Sequence, residues 1–187
     1  MNIVFLDRKS LGSDLDLSAF KKLGNVIEYD FTYPEEVQER AKDADILIVN
    51  KTLVNENTVS GATHLKAVCV TATGVNNIDI PYLEGRGIHW HNVAGYSTDS
   101  VAQHTIAIAL YMYEHLPYYD EYTKSGRYAG DKLFTHFAKT FHELIGAQWG
   151  IVGLGAIGHR TAEIATALGC KVVYYSTSGV DRPEKYP

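Results

Sequence analysis

The sequence predicts an α/β protein in two parts. Residues 1–97 read as a flavodoxin-like parallel-sheet domain, and residues 98–187 as a linking helix plus the first βαβ unit of an incomplete Rossmann domain. Three observations carry this reading. Short β-branched runs alternate with amphipathic segments from the first residue onward. Several of those runs are apolar throughout, as strands are when crossover helices cover both faces of a parallel sheet. Late in the chain, a glycine-rich turn follows one such strand and opens a helix.

Taken in order, strands are expected at Ile3 to Leu6, Val26 to Tyr29, Ile46 to Val49, Leu65 to Val70 and Ile88 to His91. A helix from Ser18 to Leu23 is expected to end at Gly24. Thr32 and Glu35 have the spacing of a capping box for a second helix, Pro34 to Lys42. A third is expected from Ile80 to Arg86, stopping at Gly87. Five strands in about 91 residues make the first, flavodoxin-like domain. From Thr98 to His115 the residues Val101, Ala102, Thr105, Ile108, Ala109 and Met112 recur at helical spacing, predicting a long linking helix. Pro117 to Leu144 is rich in Tyr, Phe and His without a strand pattern, so surface helices, loops and a subunit contact are expected there, with His136, His142 and Tyr111 to Tyr122 serving packing. A strand at Trp149 to Val152, a helix from His159 to Leu168 and a strand at Lys171 to Tyr175 complete one βαβ unit.

Composition narrows the function classes. Hydrophobic residues at 45% and charged residues at 21% describe a globular chain with a packed core. The net charge of −5, with Lys and Arg scattered, gives no electrostatic footprint for nucleic acid. The opening apolar run is too short for a signal-peptide core or a membrane span, and a cytoplasmic protein is expected. Cys69 and Cys170 lie far apart in apolar surroundings, as reduced thiols do. His89 and His91 alternate along one strand, but no Cys, Asp or Glu completes a ligand spacing, so no metal site is expected.

The segment Gly153-Leu154-Gly155-Ala156-Ile157-Gly158 carries the most chemistry. In a dinucleotide-binding corner Gly153 makes the tight turn, Gly155 leaves room for the pyrophosphate and Gly158 lets helix and strand pack closely. The N–H groups of Ala156 and Ile157 then face the phosphates at the positive end of a helix dipole. The acidic residue that binds the ribose of NAD at the end of the second strand is absent. The chain reads Tyr175-Ser176-Thr177-Ser178, with Arg182 beyond, so either these hydroxyls and Arg182 accept the 2′-phosphate of NADP, or Ser176 bonds the ribose and Arg182 is a solvated surface charge. Both NAD and NADP stay open.

Three further motifs stand in the order of one family. Val70-Thr71-Ala72-Thr73-Gly74-Val75-Asn76-Asn77-Ile78-Asp79, the segment from Asn92 through Ser100-Val101-Ala102-Gln103, and Glu143-Leu144-Ile145-Gly146 leading into Trp149-Gly150-Ile151-Val152-Gly153 together resemble the D-isomer-specific 2-hydroxyacid dehydrogenases. Gln103 and Ala147 depart from the residues commoner there. Asn50-Lys51-Thr52 and Tyr174-Tyr175-Ser176-Thr177-Ser178-Gly179 resemble the branch that acts on glycerate and hydroxypyruvate. The resemblance implies that residues 1–97 are the substrate domain. Backbone amides around Thr73 and Gly74 would hold the carboxylate of a small 2-hydroxy or 2-oxo acid, with Lys51 as a further anion contact. Thr98 would lie toward the nicotinamide, and the chain would dimerise through residues 98–145.

The same resemblance implies that the catalytic Arg, Glu and His fall beyond Pro187. The chain is therefore expected to be a truncated form, weakly active or inactive, with exposed apolar patches. Two other readings compete: a non-catalytic dinucleotide-binding module, and a dimerisation module using the aromatic segment.

Overall fold

The computed structural model describes residues 1–133, 135–179 and 185–187, and the chain divides into two compact units, Met1–Tyr96 and Ser97–Pro187. In the first unit, side chains alternate along parallel strands so that each strand feeds two cores. The strands are β1 (Asn2–Phe5), β2 (Asn25–Glu28), β3 (Ile46–Val49), β4 (Ala67–Val70) and β5 (His89–Asn92), in the order β2-β1-β3-β4-β5. All four pairings are parallel. Val4, Leu47, Val49, Val68 and Val70 point into the larger core with Val37, Val59 and Leu83. Ile3, Phe5 and Ile48 point the other way, onto Leu17 and Phe20.

The helices are α1 (Ser18–Lys21), α2 (Val37–Ala41), α3 (Glu56–Val59) and α4 (Ile80–Gly85). Sequence pattern had not indicated α3, which is a single turn capped by Asn55. The expected capping box lies one residue later than Thr32 and Glu35: the Tyr33 N–H donates to the Glu36 carboxylate at 2.8 Å. Thr32 is occupied elsewhere, since its buried hydroxyl donates to the Leu6 carbonyl. The expected Pro34 to Lys42 helix begins as a 3-10 turn, Pro34–Glu36, and ends at Ala41.

The second unit contains α5 (Thr98–Tyr113), α6 (Leu116–Lys124), α7 (Arg127–Gly130), β6 (Gln148–Val152), α8 (Ala156–Ala167) and β7 (Lys171–Tyr175). β6 and β7 pair in parallel across α8. Their core gathers Ala162, Ala165, Cys170 and Val172 with Ile106 of α5, and Leu110 packs against it. The buried stripe of α5 is thus 102, 106 and 110, residues four apart on one face. Of the residues picked out by helical spacing, Ala102 lies on this stripe, whereas Val101, Ile108 and Met112 are exposed, Met112 at 68%. Apolar residues surround this helix, so spacing alone could not choose its inward face. Arg160 of α8 bridges Asp99 of α5 at 2.7 Å and Glu163 at 2.9 Å. The two carboxylates, Glu163 foremost, raise the guanidinium pKa above its ordinary value.

Leu47 is fully buried in the central strand of the first sheet. Leu47→Ala is expected to lower stability by about 2–5 kcal/mol, through lost transfer energy and the cavity left behind. Urea unfolding followed by Trp90 fluorescence measures it.

Candidate functional site

In the second unit the turn from β6 into α8 has a shape that only glycine permits at two of its three positions. Gly153 has φ +88, in the left-handed region, and its N–H donates to the Tyr175 carbonyl at 2.9 Å. A Cβ on Gly158 would stand 2.4 Å from the Gly153 carbonyl oxygen, so the helix can approach the turn only without a side chain there. At Gly155 a Cβ would meet nothing within 4 Å. That position needs no glycine for packing, and the space in front of it is open. The N–H groups of Ala156 and Ile157 start α8 with no acceptor among the described residues. A cradle of open amides at the N-terminus of a twelve-residue helix fits the diphosphate of a dinucleotide.

The loop after β7 borders this turn: the Thr177 hydroxyl lies 3.7 Å from where a Gly153 Cβ would be. Ser176 and Ser178 approach each other at 3.3 Å between their hydroxyl oxygens. Arg182 lies outside the described residues. Thr98 is the first residue of α5 and is half-buried, and Ser97 before it supplies no side-chain cap.

In the first unit the segment after β4 shows a second run of open amides. No backbone N–H from Ala72 to Asn77 donates a hydrogen bond within the described residues. The segment is nevertheless held. The Asn92 amide donates to the Thr73 carbonyl at 2.7 Å, the Thr73 hydroxyl donates to the Val93 carbonyl at 3.2 Å, and the Val93 N–H donates to the Ala72 carbonyl at 3.1 Å. A trans peptide sets its N–H opposite its carbonyl, so fixing the Thr73 carbonyl also aims the Gly74 N–H away from Asn92.

Lys51 follows β3, and its exposed ammonium group makes no ion pair among the described residues. Its loop is tied to the amide run, because the Thr52 carbonyl accepts from the Asn77 side chain at 3.0 Å. Hydrogen bonding thus holds the run at both ends, to the Lys51 loop at Asn77 and to Asn92 and Val93 at Thr73. Sequence reasoning missed three members of this network. Asp7, Asn77 and Asn92 act through partners 43–45, 25 and 19 residues away. The one available signal was an Asp directly after an otherwise apolar strand. Beside Lys51 a cleft of about 540 Å³ opens at the carboxyl ends of β1, β2 and β3, walled by Phe31, Pro34 and Leu53.

The aromatic segment packs on itself. Tyr122 stacks on the His136 ring at 3.7 Å between centroids, and Tyr118 and His136 share a 2.6 Å hydrogen bond. Burial, with Asp131 adding to it, pushes the Tyr122 phenol up. Burial likewise raises the Cys69 and Cys170 thiols, and both cysteines are free. Among the described residues no three His, Cys, Asp or Glu side chains gather as metal ligands do.

Comparison with known proteins agrees with this arrangement of parts. Residues 3–180 match the family described as D-isomer specific 2-hydroxyacid dehydrogenase, catalytic domain. A hydroxypyruvate reductase of Blautia hydrogenotrophica is 36% identical over 179 residues, covering 94% of this chain and 56% of its own. A glycerate dehydrogenase of Methylorubrum extorquens is 31% identical over 174 residues, covering 92% and 55%. A D-lactate dehydrogenase from Aquifex aeolicus, solved with NAD and lactic acid, superposes with a TM-score of 0.77 at 26% identity, over 97% of this chain and 53% of that one. The chain thus spans about half the length of the relatives it matches. With the family matched over nearly all of its residues, the chain belongs to the D-isomer-specific 2-hydroxyacid dehydrogenases.

Proposed function

We propose that this chain supplies the acid-binding and dinucleotide-binding surfaces of an NAD(P)-dependent dehydrogenase that interconverts D-glycerate and hydroxypyruvate, or a similarly small 2-hydroxy and 2-oxo acid. The observation that carries this reading is the glycine corner at 153–158. Its middle glycine is free of any packing role and its helix-start amides are open. A structural corner has no use for such a gap, whereas a diphosphate does.

The nicotinamide dinucleotide supplies a hydride acceptor or donor when bound. The chain's own residues bind and orient. Gly153 and Gly158 set the turn, the amides of Ala156 and Ile157 donate to the diphosphate, and Gly155 admits it. Ser176 takes the ribose hydroxyls or, with Arg182, a 2′-phosphate, and Thr98 is assigned to the nicotinamide side. The amides around Thr73 and Gly74 donate to the acid's carboxylate, and Lys51 adds a positive charge to that anion site. The hydroxypyruvate and glycerate relatives favour the small acid. Both cysteines being free fits a reducing compartment, and we assign the protein to the cytoplasm.

The competing reading, a dimerisation module without a dinucleotide, draws on the apolar surface of α5 and α6. Val101, Ile108, Tyr111, Met112 and Leu116 are all 40% exposed or more. We assign that surface to a homodimer contact through residues 98–145 in addition to dinucleotide binding.

Three outcomes are expected. In calorimetric titration with NADH, Gly155→Val binds at least tenfold more weakly with an unchanged melting temperature, because the new side chain meets no protein atom. Gly158→Ala loses both binding and stability. Loss of neither in Gly155→Val would remove the dinucleotide reading. Residues 174–179 contain no acid to repel a 2′-phosphate, so NADPH is expected to bind at least as tightly as NADH, and a strong NADH preference would exclude the phosphate role of Arg182. Finally, light scattering is expected to show a dimer for the wild-type chain and a monomer for the Ile108→Glu, Met112→Glu double variant.

A further inference from the structure

We propose that Asp7 is a positioning residue that holds the open amide run at 72–77 in place, through the loop that follows β3. The proposal rests on the acid-binding reading for its consequence, but its physical content is separate.

Asp7 follows β1 and is buried, 6% exposed, and among the described residues no cation is bonded to its carboxylate. That carboxylate instead accepts from the chain. The Asn50 N–H reaches both oxygens at 2.9 Å, and Oδ2 also accepts the Lys51 N–H at 2.7 Å, the Thr52 N–H at 2.9 Å and the Thr52 hydroxyl at 3.0 Å. Three successive amides converging on one anion form a nest of the kind that elsewhere binds a ligand's phosphate or carboxylate. Here the protein fills it with its own side chain.

What the nest fixes is the next turn of chain. The Thr52 carbonyl accepts from the Asn77 side chain at 3.0 Å, the Val54 N–H donates to the Asn77 carbonyl at 2.8 Å, and the Asp79 N–H donates to the Val54 carbonyl at 2.8 Å. Asn77 closes the open amide run, whose other side Asn92 holds at Thr73. Hydrogen bonds therefore lead from Asp7, through the loop whose Lys51 backbone they orient, to Asn77, and from there the covalent chain runs three residues back to Gly74. All four donors reach Oδ2 and the Asn50 N–H also reaches Oδ1, so an Asn would lack the negative charge that gathers them and would set its NH₂ against the Asn50 N–H.

A purely stabilising role for Asp7 predicts a lower melting temperature and nothing else. The positioning role predicts a displaced amide run in a chain that is still folded. The test is a ¹⁵N-resolved NMR spectrum of the chain with Asp7→Ala, read alongside calorimetric titration with hydroxypyruvate. The amide signals of 50–52 are expected to shift, and those of 73–77 to shift with them. Saturating formate, small enough to enter the vacated nest, is expected to return the 50–52 signals toward wild type. Hydroxypyruvate affinity is expected to fall about tenfold, the equivalent of one lost hydrogen bond. Leu17→Ala, which weakens the core on the other face of the sheet, is expected to leave that affinity unchanged. Should Asp7→Ala fail to fold, Asn77→Ala cuts the same path at a half-buried site and is expected to give the same shifts at 73–76 and the same loss of affinity.

Unshifted 73–77 signals in folded Asp7→Ala would overturn the proposal, as would equal losses of affinity in Asp7→Ala and Leu17→Ala. If the wild-type chain binds no hydroxypyruvate while the shifts still propagate, the acid-binding reading fails and the positioning role of Asp7 stands.

Discussion

Backbone N–H groups need acceptors, and the structure is organised by where this chain provides them and where it does not. Inside the strands and helices the ladders satisfy them. At the carboxyl ends of parallel strands the ladder stops, and each loop must find acceptors of its own. After β3 the acceptor is Asp7. Among the described residues there is none after β4 from Ala72 to Asn77, and none after β6 for Ala156 and Ile157 at the start of α8. Among the described residues, the loop after β3 is satisfied by a side chain of the protein while those after β4 and β6 leave amides open, and this open pair carries the functional reading.

The two open sites are kept open by different means. Around Gly74 the chain is pinned by its carbonyls and side chains, so the donors have a fixed direction without being used. At the glycine corner the fixing is steric: the Gly158 position touches the Gly153 carbonyl, and the turn has no alternative course. Hydrogen bonds restrain the first and contact distance the second. In neither case does the acceptor itself have to be present for the shape to exist.

The sequence made much of this legible. The short β-branched and apolar runs located all seven strands of the described residues to within a residue or two, because runs of that length bounded by polar residues are too short for helices. The spacing of Gly153, Gly155 and Gly158 announced a turn whose geometry depends on local sterics, and local sterics are written locally. Pairings across the fold are not. Asp7 meets its partners 43–45 residues on, so nothing near it marks it as different from any aspartate at a strand end. The inward face of α5 is not marked in the sequence for a related reason: apolar residues lie on more than one side, and only the presence of Ala162 and Ala165 opposite decides that Ile106 is buried and Ile108 is not. Thr32 looked like a cap because its type suits one, yet the Leu6 carbonyl, 26 residues earlier, claims its hydroxyl.

The approach of Gly158 to the Gly153 carbonyl has one more consequence. Because the turn is already locked by contact, capturing a ligand there requires no loop to order itself, and little conformational entropy is spent in the encounter. Association at such a corner should then be governed by diffusion and charge rather than by a slow closing motion, and the lifetime of the complex, rather than its rate of formation, is what substitutions around the corner would alter.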